Sequence, residues 1–176
     1  MNLSFIIVIN RKGSNFFCGS MAISTKEELQ FLLHRGWEIE KNFESLSVWK
    51  GFIAVDSTHK KTVLRLARDS HKHRLNLENL LETLNLESPT NEILTESSKF
   101  EGMINVEILQ RIVGYDETVA DLYVELMEKT EPKLVTSLSG AENVDFFYKT
   151  MEQLAEDEKR HVKMVRSITG TIVRIQ

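Results

Sequence analysis

Four stretches of the chain place apolar residues three and four positions apart for about 30 residues at a time, which is the period of one face of an α-helix. Such a face must be covered, and four faces of that length cover one another as a helix bundle. The first stretch, from about Thr25 to Ala54, carries Leu29, Leu32, Leu33, Gly36, Ile39, Phe43 and Leu46 on one side. The second, from about Ser57 to Leu84, carries Val63, Leu66, Ala67, Leu77, Leu80, Leu81 and Leu84. The third runs to about Thr130 with Leu109, Ile112, Val113, Val119, Ala120, Tyr123, Leu126 and Met127. The fourth runs to about Thr169 with Val144, Phe147, Met151, Leu154, Ala155, Val162, Val165 and Ile168. Nothing alternates with a period of two over a useful length, so a sheet protein is not expected. Only two prolines and eight glycines occur in 176 residues, which suits few turns and long helices.

The punctuation agrees with this reading. Ser24 to Glu27, Ser98 to Glu101 and Ser139 to Glu142 each have the form of a capping box. In such a box the serine accepts from an early helix N–H and the glutamate reaches back. Asp56-Ser57 is a turn and N-cap signal, and Gly170 suits a left-handed stop. Residues 85–98, with Pro89 and Asn91, form the longest break, with one helical turn expected from Glu92 to Thr95. The expected architecture is all-α, two antiparallel hairpins joined by a longer crossover, within residues 21–176. Residues 1–20 match no helix pattern and read as a disordered or non-native leader, with a short edge strand as the alternative.

Charge and cysteine content exclude several functions. Lys and Arg total 22 against 26 Asp and Glu, a net charge of -4 with no basic run, so no nucleic-acid partner is expected. The apolar run from Phe5 to Ile9 is too short to cross a bilayer and lacks the preceding positive charge of a signal. A cytoplasmic protein with no membrane partner is the expectation. The single cysteine, Cys18, excludes an internal disulfide framework, a four-cysteine zinc site and a rubredoxin-type iron site.

Polar residues interrupt the apolar faces at one level. At about 100° per residue, Glu40 falls within the first stripe and Ser70 and His73 within the second. Asp116 falls within the third, with Glu117 at its margin. Glu158 lies at the centre of the fourth and His161 at its inner edge. Unpaired buried carboxylates are costly, and no Lys or Arg lies on the stripes at this level to pair with them. Protons or a metal ion must compensate. Carboxylates with imidazoles suit iron, manganese or zinc. Glu158-x-x-His161 also has the i, i+3 spacing that aims two side chains at one point. Glu40 and Ser70 stand equally far from the first turn, and Asp116 and Glu158 bracket the second in the same way.

The two halves match. Leu154-Ala155-Glu156-Asp157-Glu158-Lys159-Arg160-His161 can be laid on Leu66-Ala67-Arg68-Asp69-Ser70-His71-Lys72-His73 with a constant offset, sharing Leu, Ala, Asp and the final His. This pattern resembles the ferritin-like superfamily, and most nearly its rubrerythrin branch, over about residues 25–170. The family places a carboxylate on helices one and three and Glu-x-x-His on helices two and four. Asp116, seven residues before Tyr123, resembles its helix-three pattern with Asp in place of Glu. The resemblance implies a carboxylate-bridged di-iron or di-manganese site that reacts with hydrogen peroxide or oxygen, or oxidises Fe(II), often in a homodimer. It implies Glu40 and Asp116 as terminal oxygen ligands, His73 and His161 as nitrogen ligands, and Glu158 as a bridge.

One position departs from that pattern. The first Glu-x-x-His motif reads Ser70-x-x-His73, so one bridging carboxylate is missing and either one ion or two is expected. Glu44 or Glu117 would have to compensate. Without a cysteine pair, electrons for peroxide reduction must come from an external donor. The alternative is a metal-free, degenerate bundle that acts as a binding or interaction protein. Trp37 and Trp49 lie off the centre of the first stripe, where they would mark a packing or dimer surface. His34, His59 and His71 read as surface or turn residues.

Overall fold

The structure is a computed structural model and describes residues 22–44, 52–53, 55–89 and 103–169. The leader, Cys18, Trp49, the turn at 92–95 and the end of the first predicted helix lie outside these residues. Four long helices are present: α1 (Lys26–Glu44), α2 (Ser57–Thr83), α3 (Asn105–Lys129) and α5 (Val144–Thr169). A short helix, α4 (Pro132–Ser139), and a 3-10 turn (Ala141–Asn143) join the last two. Among the described residues there is no strand beyond a single parallel bridge between Ile23 and Thr130. None of these helices is long and apolar enough to cross a membrane.

Helix ends show why the elements begin where they do. Thr25, not Ser24, caps α1, with its Oγ1 accepting from the Glu28 N–H at 3.3 Å. Asp56 caps α2 as expected, its Oδ1 accepting from the His59 N–H at 3.2 Å. Helix α3 starts at Asn105, after the non-helical Met103 and Ile104, and the Ser98 to Glu101 box lies outside the described residues. Glu107 accepts from the Ile104 N–H at 3.0 Å, so the glutamate half of a box closes this end without a serine. The Ser139 box does not form. Gly140 turns at φ 91, a backbone that glycine adopts readily, and the Ser139 hydroxyl donates to the Val135 carbonyl. Pro132, beyond the third predicted stretch, opens the short α4. Proline suits a first helical turn, where its missing N–H has no partner to lose.

The pairing of helices sets the topology. Helix α1 packs chiefly on α2, and α3 chiefly on α5. The two hairpins meet where α1 lies against α3 and α2 against α5. Two contacts orient them. Asn105, at the start of α3, donates its Nδ2 to Asp56 Oδ2 at 2.8 Å, so α2 and α3 begin at the same end. Ile23, before α1, donates its N–H to the Lys129 carbonyl at 2.7 Å, so α1 begins where α3 finishes. With α2 and α3 parallel, the segment between Leu84 and Ile104 joins opposite ends of the bundle. That is the long crossover the sequence predicted.

The core is in two parts. One gathers Leu29, Leu33, Leu77, Leu80, Tyr123, Phe147, Met151 and Leu154 toward the end that holds Ile23. The other gathers Phe43, Val63, Leu66, Ile108, Leu109, Ile112 and Val165 toward the end that holds Val55. Trp37 belongs to the first part, buried, with its indole N–H donating to Glu78 Oε1 at 2.9 Å. Of the two surfaces its place off the stripe allowed, it lies on the packing one, against α2, as part of the core. A layer of polar side chains separates the two apolar clusters.

Candidate metal centre

Each long helix contributes to that layer through residues set between its apolar neighbours. Glu40 comes from α1, Ser70 and His73 from α2, Asp116 from α3, and Glu158 and His161 from α5. All six are buried, with exposures between 1% and 4%. The inward set derived from helical period is therefore the set the fold encloses. Asp116 within the third stripe and Glu117 at its margin separate clearly. Asp116 is 3% exposed inside the layer, while Glu117 points out and pairs with Arg166 of α5. Glu44 also points away, held between His71 and Arg74.

Two groups of ligand-type atoms form, and they share one residue. Glu40, His73 and Glu158 each offer an atom within 4.8 Å of the others, and so do Asp116, Glu158 and His161. Glu158 divides its two oxygens between the histidines. Oε1 lies 2.6 Å from His73 Nδ1, and Oε2 lies 3.2 Å from His161 Nδ1. The first contact is short but out of line for a hydrogen bond. His73 Nδ1, Glu158 Oε1 and Asp116 Oδ2 are thus left without a hydrogen-bond partner. An Asp116 oxygen with no partner, beside a His73–Glu158 contact at ion-pair distance but of poor hydrogen-bond direction, would be costly in a finished core. These atoms suit donors that converge on an ion.

A second set of contacts orients the imidazoles, and sequence reasoning missed it. His73 Nε2 lies 3.4 Å from Asp157 Oδ2, and His161 Nε2 lies 3.4 Å from Asp69 Oδ2. A carboxylate only accepts, so each Nε2 carries a hydrogen and each Nδ1 is turned inward. The rings stack with centroids 5.7 Å apart. Asp69 and Asp157 are the aspartates shared by the two sequence copies. Their coincidence in the repeat was the available clue to this role. On α3, the Tyr123 hydroxyl donates to Glu40 Oε1 at 2.8 Å. Gly36 makes room for that ring, since a Cβ there would lie 3.1 Å from Tyr123 Cε1.

The electrostatics follow from burial and crowding. Burial raises the Glu40 and Asp116 carboxyls, Asp116 well above its usual range, and the nearby Glu158 charge adds to both shifts. For His73, burial alone would favour the neutral ring. Glu158 and Glu40 beside it outweigh that and carry it up to about 10. Burial also opposes the Glu158 charge, but its contacts with His161 and His73 prevail and hold it below the usual range. Without a metal, then, the layer balances itself with protons. A divalent cation would displace those protons. The donor set of carboxylate oxygens and imidazole nitrogens fits iron, manganese or zinc.

No protein-family model and no curated protein matches this chain. Among solved structures, it is similar to a two-domain protein from Anabaena variabilis with DJ-1/ThiJ/PfpI-like and ferritin-like domains. The TM-score is 0.51 at 16% identity, covering 87% of this chain and 40% of that one. The chain thus spans well under half the length of that protein. The likeness is one of fold: this is a ferritin-like, all-α bundle with a buried carboxylate and histidine cluster able to hold a metal ion.

Proposed function

We propose that the chain binds non-haem iron or manganese in its polar layer and is an oxidoreductase of rubrerythrin-like type. Its substrate would be hydrogen peroxide or oxygen, or Fe(II) as the species oxidised. The observation that carries this reading is Glu158, whose two oxygens face two histidines from different hairpins, while Asp116 Oδ2 beside it has no hydrogen-bond partner. Glu40 and His73 would hold one side of the centre, Asp116 and His161 the other, with Glu158 between them. Bound there, iron or manganese supplies the change of oxidation state that peroxide or oxygen reduction requires.

The chain's own residues prepare the site. Asp157 and Asp69 fix the imidazole tautomers. Tyr123 holds Glu40 by its hydroxyl, and the apolar clusters on both sides exclude water. Protons leaving His73 and Asp116 as a cation enters keep the charge of the layer near balance. Electrons for peroxide reduction would come from an external donor, since the chain has a single cysteine.

The test is metal content per chain by elemental mass spectrometry. The protein is expressed with added iron and manganese and purified without an affinity-tag metal. Stoichiometric metal is expected in the native protein. Glu158→Ala and His161→Ala should lose it while circular dichroism still reports a helical bundle. Full occupancy in both variants would exclude this site. Peroxide consumption with a supplied reductant then tests the reaction. The second reading, a metal-free interaction bundle, draws on Ser70 in place of a carboxylate and on the self-pairing of His73 with Glu158 and Glu40. It predicts no bound metal and a melting temperature indifferent to chelators.

A further inference from the structure

We propose that the centre takes a small, singly charged oxyanion of carboxylate shape as a co-ligand beside Ser70, and that a second metal ion binds only with it. This rests on the metal-binding reading above. The two halves of the site are related by an offset of 88 positions, from Asp69 to Asp157 and from His73 to His161. The structure keeps that relation in space, with each histidine 3.4 Å from the other half's aspartate. Position 70 is the counterpart of Glu158. Glu158 serves both histidines with its two oxygens, whereas Ser70, 4% exposed and three residues before His73, brings no charge.

Charge balance makes the gap consequential. Glu40, Asp116 and Glu158 supply three negative charges against the four positive charges of two divalent ions. One uncompensated charge would remain among side chains that water barely reaches, where an unbalanced ion is costly. The carboxylates around the layer each already have a cationic partner. Glu44 pairs with His71 and Arg74, Glu117 with Arg166, Asp157 with Arg160, and Asp69, beside Ser70, with Lys72. The unpartnered donors fall in both halves of the site: His73 Nδ1 in one, Asp116 Oδ2 in the other, and Glu158 Oε1 between them. Both positions are therefore prepared for an ion, and what the chain lacks is one anion. Formate, acetate and bicarbonate share the required charge and planar pair of oxygens. The Ser70 hydroxyl is able to donate to such an oxygen.

The experiment is a titration of the metal-free full chain with Mn(II), following free Mn(II) by electron paramagnetic resonance in a sulfonate buffer freed of carbon dioxide. One ion per chain is expected without added anion and two with formate or with bicarbonate. A response to formate alone assigns the anion as a carboxylate, and a response to bicarbonate alone assigns it as bicarbonate. Ser70→Glu should bind two ions with no anion present. Should that variant fold poorly, relaxation of 13C-labelled formate by the Mn(II)-loaded native protein gives an independent readout, and enhancement is expected. Two ions bound without any oxyanion, or one ion whatever is added, overturns the proposal. No Mn(II) bound under any condition overturns the metal reading itself.

Discussion

Asp157 on α5 sits 3.4 Å from Nε2 of His73 on α2, although 84 positions separate them in the chain. The reciprocal contact, Asp69 with His161, repeats the arrangement at the same distance. Each hairpin therefore positions the histidine of the other. Asp69 is itself held ionised, because Lys72 and His161 outweigh its partial burial.

Removing this support should weaken the metal without removing a ligand. Asp157→Asn and Asp69→Asn are each expected to lower metal affinity about 10–100-fold, the usual loss when the partner of a ligating imidazole is changed. Competition with a calibrated chelator measures it. Unchanged affinity in both would mean the imidazoles are oriented by packing alone.

Gly36 and Tyr123 should behave as a unit. Gly36→Ala adds a Cβ 3.1 Å from the ring, which must move and loosen its hydrogen bond to Glu40. Overpacking of this kind costs about 1–3 kcal/mol, more than the roughly 1 kcal/mol that alanine gains over glycine in a helix. Net destabilisation is expected in urea titrations. Tyr123→Phe should cost about 1–3 kcal/mol by leaving Glu40 Oε1 without its donor. The double variant should cost less than the sum of the two.

The metal-free protein should lose stability as the medium becomes alkaline. His73 is raised from 6.5 to about 10 in the folded chain. Its stabilising charge is thus fully present below pH 6.5 and disappears as pH rises through about 10. Asp116 and Glu40, raised by burial, act in the same direction from the acid side, since their ionisation is opposed by the fold. Melting temperature against pH, with His73→Gln as the comparison, tests this. The variant should lack the decline between 6.5 and about 10. A native profile flat across that window would contradict the charged His73.

The two acidic neighbours on α3 should differ sharply. Glu117 makes a half-exposed pair with Arg166, of a kind worth about 1 kcal/mol or less. Glu117→Ala should leave metal content unchanged, whereas Asp116→Ala should reduce it. Both are read by elemental analysis of protein loaded anaerobically with Fe(II). Equal losses would mean that Glu117 swings inward in the loaded protein.

Helical period is a local property, and it carried much of this fold. Apolar spacing alone identified four long helices, and the same 100° steps picked out Glu40, Ser70, His73, Asp116, Glu158 and His161, all of which are buried. The departure at Ser70 was equally legible, because the repeat showed which residue type stands there. Helix starts were less so. Met103 and Ile104 stand non-helical just before α3, after the box at Ser98, and a short helix from Pro132 lies between the third and fourth predicted stretches. Capping patterns are short and frequent, and contacts such as Asn105 with Asp56 decide which position is used.

Period cannot say what stands opposite a side chain. Period placed Asp116 inward and Glu117 at the margin, but not that Glu117 meets Arg166 across the α3–α5 interface. Trp37 lay off the stripe by angle but is enclosed, because its indole reaches Glu78 on α2. Asp69 and Asp157 were visible as repeated residues, but a histidine 84 or 92 positions away gives them their role. The direction in which a residue leaves its helix follows from its place in the chain, since about 3.6 residues make a turn. The atom it meets follows from how helices distant in sequence pack, and only the assembled bundle specifies that.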